Sequence, residues 1–169
     1  MYQQIIESLG IVDTFIPLAL ALALGGLVGV ERLLHGKTTG VRTHMLVSMG
    51  SACFVLAARE VFSGNDDNLT RVVQGVASGI GFIGAGAILK LGQPAEIRGL
   101  TTAATVWLSS SVGVASGLKA YHVAIWSTLL ALIVLAILRP YERNFESELT
   151  KKRNGNGQEH DGKQELLRD

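Results

Sequence analysis

The residues best equipped for chemistry are polar side chains set into an otherwise apolar chain. They are Glu31 and Arg32; Arg42, Thr43 and His44; Arg71 with Gln74; and Arg98 with Thr101 and Thr102. Ionisable groups at membrane depth are costly and are ordinarily paired or functional. These lie near the ends of apolar runs, where a long side chain reaches the headgroup region cheaply. Two chemistries stay open: topology anchors with interhelical ion pairs such as Glu31 with Arg42, or a polar site shared between helices. Enzymatic chemistry has less support. His35, His44, His122 and His160 are scattered without metal-ligand spacing, and spacing argues for no nucleophile and base. His44 could sense pH at an interface, although a snorkelling or hydrogen-bonded side chain is the simpler expectation. The single cysteine, Cys53, excludes an internal disulfide framework and reads as a small apolar filler in a helix. We therefore expect neither an enzyme nor a bound cofactor, with Mg²⁺ binding left open.

The elements that must position these groups are long uncharged runs: Thr14–Val30, Thr43–Ala58, Val72–Leu89, Gly99–Leu118 and Ala120–Leu138. About 20 apolar residues in a helix cross a hydrocarbon core of about 30 Å, and all five runs are within reach of that length. None alternates with the period of two that marks a barrel strand. The fold expected is an all-α polytopic membrane protein with five transmembrane helices, at about 14–33, 41–62, 71–90, 99–118 and 119–139. Residues 140–169, rich in Lys, Glu, Asn and Gly, are expected to form a polar, disordered tail. The first run lacks a positively charged start and is followed by Glu31-Arg32, so it reads as a membrane helix and not as a cleaved leader. With 48% apolar residues in a chain of 169, 17% charged and a net charge of +1, no basic footprint points to nucleic acid.

Orientation follows the basic residues. Placing the N-terminus outside puts Arg32, Lys37, Arg42, Lys90, Arg98, Arg139, Arg143, Lys151, Lys152 and Arg153 inside, against Arg59, Arg71 and Lys119 outside. The tail is then cytoplasmic, and Ser63–Thr70 reads as an external turn.

Glycines recur at packing intervals: Gly25 with Gly29, Gly75 with Gly79, and Gly113 with Gly117. The third helix adds Gly81, Gly84 and Gly86, too many for a stable isolated helix. It is therefore expected to be central, either tightly crossed by its neighbours or unwound around a site along a solute path.

Four blocks together closely resemble the MgtC/SapB family of bacterial inner-membrane proteins. They are Leu24-Gly-Gly-Leu-Val-Gly-Val-Glu-Arg32, Gly40-Val-Arg-Thr-His-Met-Leu-Val47, Arg71-x-x-Gln74 followed by Val76-Ala-Ser-Gly-Ile-Gly-Phe-Ile-Gly-Ala-Gly86, and Arg98-Gly-Leu-Thr-Thr-Ala-Ala-Thr-Val-Trp107. The resemblance covers about residues 14–139 and is closer to the short SapB-like architecture, which has no folded C-terminal domain. It implies a cytoplasmic C-terminus, a role in growth at low magnesium and, in pathogens, survival inside host phagocytes. Partners it implies are other membrane machines, the F-type ATP synthase among them, within a lipid bilayer. A homo-oligomer is expected as well.

A dedicated magnesium path is hard to build from this inventory. Mg²⁺ wants an octahedron of oxygens, normally with one or two carboxylates, and the five uncharged runs contain no Asp or Glu. A regulator acting through membrane partners is the leading expectation; an ion or small-solute transporter is the alternative. The topology is directly testable: reporter fusions after Asp67 and Glu148 should read periplasm and cytoplasm respectively, and the opposite pattern would refute the orientation.

Overall fold

The computed structural model describes residues 11–37, 39–62, 66–91 and 96–138. A π-helical turn, Ile11–Phe15, leads into α1 (Ile16–Leu34); α2 (Val41–Val61) and α3 (Asp66–Gly86) follow. A short antiparallel hairpin pairs β1 (Leu89–Leu91) with β2 (Glu96–Arg98), Leu89 opposite Arg98, before α4 (Leu100–Gly117). The last helix, α5, spans Tyr121–Leu138. Met1–Ala131 forms one compact unit; of a second, Leu132–Asp169, the final turns of α5 to Leu138 are described. The polar tail and the first ten residues lie outside the described residues.

Local sequence explains the helix limits. Pro17 occupies the first turn of α1, where its missing N–H has no intrahelical partner to lose. At the other end Gly36 takes φ +64°, and the N–H groups of Gly36 and Lys37 donate to the carbonyls of Leu33 and Arg32. Gly99 opens α4 at φ +94°, and a Cβ there would lie 2.1 Å from the Ala87 carbonyl oxygen, so only glycine fits. The expected turn at Ser63–Thr70 is shorter than the sequence suggests. Asp66–Thr70 already belongs to α3, and Asp67 in its first turn complements the positive end of the helix dipole. That helix also stops at Gly86 instead of residue 90, and the hairpin takes up the residues beyond it.

Direct contact between helices centres on α2, which packs most extensively on α1 and α4. The central position expected for α3 is corrected: α3 touches chiefly α4 and, more lightly, α2. Glycine placement is the reason. Cβ atoms built at Gly25 and Gly29 would fall 2.6 Å from the His44 carbonyl oxygen and 2.6 Å from Val41 Cα. At Gly113 the clash is 2.0 Å, with the Ser48 carbonyl oxygen; at Gly117 it is 2.8 Å, with Val55 Cβ. By contrast Gly75, Gly79, Gly81 and Gly86 have nothing within 4 Å of an added Cβ, and Gly84 makes only an ordinary 3.8 Å contact with Ala103. The third helix is regular through these glycines, neither tightly crossed nor unwound.

The helix ends alternate. One end gathers Arg32, His44, Thr102 and Thr105; at the other, Lys119 pairs with Asp13, and Arg59 Nη1 donates to the Gly117 carbonyl at 3.3 Å. Ala124 of α5 packs with Leu24 of α1 and with Val112 and Ala115 of α4. Polarity is inverted relative to a water-soluble fold. Phe82, Leu34, Phe54 and Trp126 are among the most exposed side chains, while Arg32, His44 and several Ser and Thr residues are buried. Cys53 follows that surface and is exposed, not the buried filler expected. Among the described residues three helical segments, Val12–Leu34, Val41–Val61 and Tyr121–Leu138, are long and apolar enough to cross a membrane. Acidic residues and glycines dilute α3, and Ser and Thr dilute α4.

Glycine substitutions separate these roles. Gly113→Ala should destabilise the purified protein by at least ~1–3 kcal/mol in thermal unfolding. Gly81→Ala should be neutral or stabilise by up to ~1 kcal/mol, and a similar loss from both changes would contradict the packing described.

Candidate buried polar site

The site forms where the C-terminal turn of α1 meets the first turns of α2 and α4. Arg32 is 4% exposed and lies between Glu31 and α4. Its Nη2 donates to Thr102 Oγ1 at 3.4 Å, and its Nη1 is 4.0 Å from Glu31 Oε2. Glu31 Oε1 is also 2.7 Å from His35 Nδ1, one turn along α1. The ion pair of Glu31 with Arg42 expected from the sequence does not form. Glu31 is engaged within its own helix, and Arg42 sits exposed at the start of α2.

His44 is wholly buried, so snorkelling is ruled out and hydrogen bonding holds it. Its Nδ1 lies 3.0 Å from the Gly40 carbonyl and its Nε2 3.2 Å from Thr105 Oγ1. A carbonyl only accepts, so Nδ1 carries the proton toward Gly40. Thr105 Oγ1 also lies 2.9 Å from the Thr102 carbonyl. A neutral His44 uses the Thr105 hydroxyl as donor to Nε2; a protonated His44 donates to it, freeing that hydroxyl for the Thr102 carbonyl. The Thr105 hydroxyl is thus shared between the imidazole and the backbone.

Of the residues singled out in the sequence, Glu31, Arg32, His44 and Thr102 come together. Thr43 and Thr101 flank the cluster but are exposed, and Arg71 and Gln74 lie exposed on α3. Arg98 is placed by its backbone in β2, and its side chain lies outside the described residues. Sequence reasoning missed Thr105 and the hydroxyls beyond it: Ser48, Ser51, Ser109 and Ser110, all buried. The recurrence of Thr102, Thr105 and Ser109 at three- and four-residue steps was the signal available, since such spacing lines one helix face.

Further along, Ser51 Oγ donates to the Val47 carbonyl at 2.9 Å, so the Ser110 hydroxyl donates to Ser51 across a 2.8 Å contact. Both serines line an apolar groove of about 620 Å³ between α2 and α3, whose walls include Phe54, Gly75, Gly79 and Ile83.

Residues 18–144 match the MgtC family. Relatives include Protein MgtC of Brucella abortus (strain 2308), 42% identical over 135 residues that make up 80% of this chain and 55% of that protein. Another is "Putative magnesium transporter YhiD" of Escherichia coli (strain K12), 38% identical over 149 residues, 82% of this chain and 68% of that protein. Protein SrpB of Synechococcus elongatus is 36% identical over 137 residues, 75% of each chain. The chain thus spans about half the length of the Brucella relative. No solved structure matches. The polar cluster falls on Leu24–Arg32, Gly40–Val47 and the start of α4, three of the four blocks that carry the family resemblance, and with the match over residues 18–144 the chain belongs to the MgtC family.

Proposed function

We propose that this chain is a multi-pass protein of the bacterial inner membrane that supports adaptation to low magnesium by regulating membrane partners. The magnesium link is carried by the family and by the name of the YhiD relative. The regulator reading rests on one observation of the site: its described carboxylate, Glu31, meets His35 through Oε1, while Oε2, without a hydrogen-bond partner, stands 4.0 Å from a guanidinium nitrogen. Among the described residues, Glu31 is the carboxylate of this cluster, and a dication bound to it would compete with His35 and sit beside the Arg32 guanidinium. Mg²⁺ sheds water reluctantly and needs several oxygen ligands to compensate. Among the described residues no group of three His, Cys, Asp or Glu side chains could hold a metal ion. Other membrane proteins, the F-type ATP synthase included, and further copies of the chain are the partners we propose. The apolar exterior supplies the contact area.

Liposomes containing the purified full chain and an entrapped magnesium indicator should show no influx above protein-free liposomes. Protein-dependent Mg²⁺ influx would overturn the regulator reading in favour of a transporter. In cells whose growth at low magnesium depends on this protein, His44→Leu and Arg32→Met should abolish growth support at undiminished protein levels. Full support from both variants would show that the buried cluster serves packing alone.

A further inference from the structure

Two buried hydroxyls stand apart from the hydrogen bonding that satisfies their neighbours. Ser48 Oγ and Ser109 Oγ are fully buried and have no hydrogen-bond partner. Most other interior hydroxyls are satisfied: Ser116 donates to the Val112 carbonyl and Thr128 to the Ala124 carbonyl, each at 2.9 Å. A buried hydroxyl without a partner is destabilising, so native proteins rarely keep one without a reason. Here there are two, and their positions are related.

α2 and α4 run in the same direction and are bridged twice, by His44 with Thr105 and by Ser51 with Ser110. Ser48 lies between His44 and Ser51 on α2, one turn from each and on the same face. Ser109 lies between Thr105 and Ser110 on α4. Both orphan hydroxyls therefore lie at the level of one interhelical interval, roughly 10 Å long along α2, where Ser48 Cβ also faces Gly25 of α1. We infer that Ser48 and Ser109 hold an ordered water molecule, the missing link in a hydroxyl file from the Arg32 and His44 cluster to the Ser51 and Ser110 floor of the groove. A water has two donors and two acceptors, and it satisfies two hydroxyls together where no backbone carbonyl does. The ligand is not a cation, because Arg32 flanks one end of the file and among the described residues no Asp or Glu lies within the interval. The file ends at Ser51 and Ser110, which line the apolar groove.

Water-edited solid-state NMR of the full chain in lipid bilayers tests this. The Cβ signals of Ser48 and Ser109 should receive water magnetisation, whereas Ser116, equally buried but bonded to Val112, should not. Ser48→Ala and Ser109→Ala should each lower the melting temperature by about 2–4 °C, with no further loss in the double variant, because removing both partners leaves nothing unsatisfied. Serine signals as dark as Ser116 would overturn the inference even if the substitutions are coupled, since coupling would then report a direct hydroxyl contact. Single variants that raise the melting temperature would overturn it as well, by showing a dry, unsatisfied pair.

Discussion

Everything else in this molecule depends on how closely α2 is gripped. Gly25 and Gly29 of α1 press on one side and Gly113 and Gly117 of α4 on the other, at distances where a single methyl group would overlap a backbone atom. In lipid, apolar burial does not drive helices together, so close backbone approach supplies the attraction in its place. The grip sets the register of α2 against both neighbours, and the register decides which side chains turn inward. His44, Ser48, Ser51, Ala52, Val55 and Ala58 are the inward residues of α2, at helical spacing.

Close crossing also explains the polar interior. Helices this near leave room for Ala, Ser and Thr but little for Leu or Phe, and the bulky side chains are displaced to the exterior. A helical serine or threonine can satisfy its hydroxyl on the carbonyl three or four residues earlier, as Ser51, Ser111 and Ser116 do, so small polar residues are cheap inside. The family blocks are then readable as two interlocked devices. Glycines bring the helices together, and polar residues one turn away make specific bonds across the contact.

The third helix stands outside that arrangement. Its glycine face meets no neighbour closely and borders the groove, while Phe82 projects from it almost fully exposed. A smooth glycine surface lets another helix approach as α1 and α4 approach α2, which suits a protein whose proposed work is done through membrane partners.

The sequence by itself determined the class of protein, the family and the approximate positions of the five helices. Hydropathy, spacing and motif blocks are local properties that survive without knowledge of neighbours. It also made Glu31, Arg32, His44 and Thr102 candidates, since charged and polar residues at the ends of apolar runs stand out by composition alone. What composition could not say is which glycines are in contact. Gly75, Gly79 and Gly81 look like Gly25, Gly113 and Gly117 on paper, and only the packing separates open from occupied. Likewise, Glu31 and Arg42 are plausible partners by charge, yet the turn of α1 places His35 nearer and leaves Arg42 outside. Thr105 and the orphan hydroxyls of Ser48 and Ser109 acquire meaning only once α2 and α4 lie side by side. A hydrogen bond between residues 61 positions apart, such as His44 with Thr105, is decided by tertiary geometry and leaves no local trace.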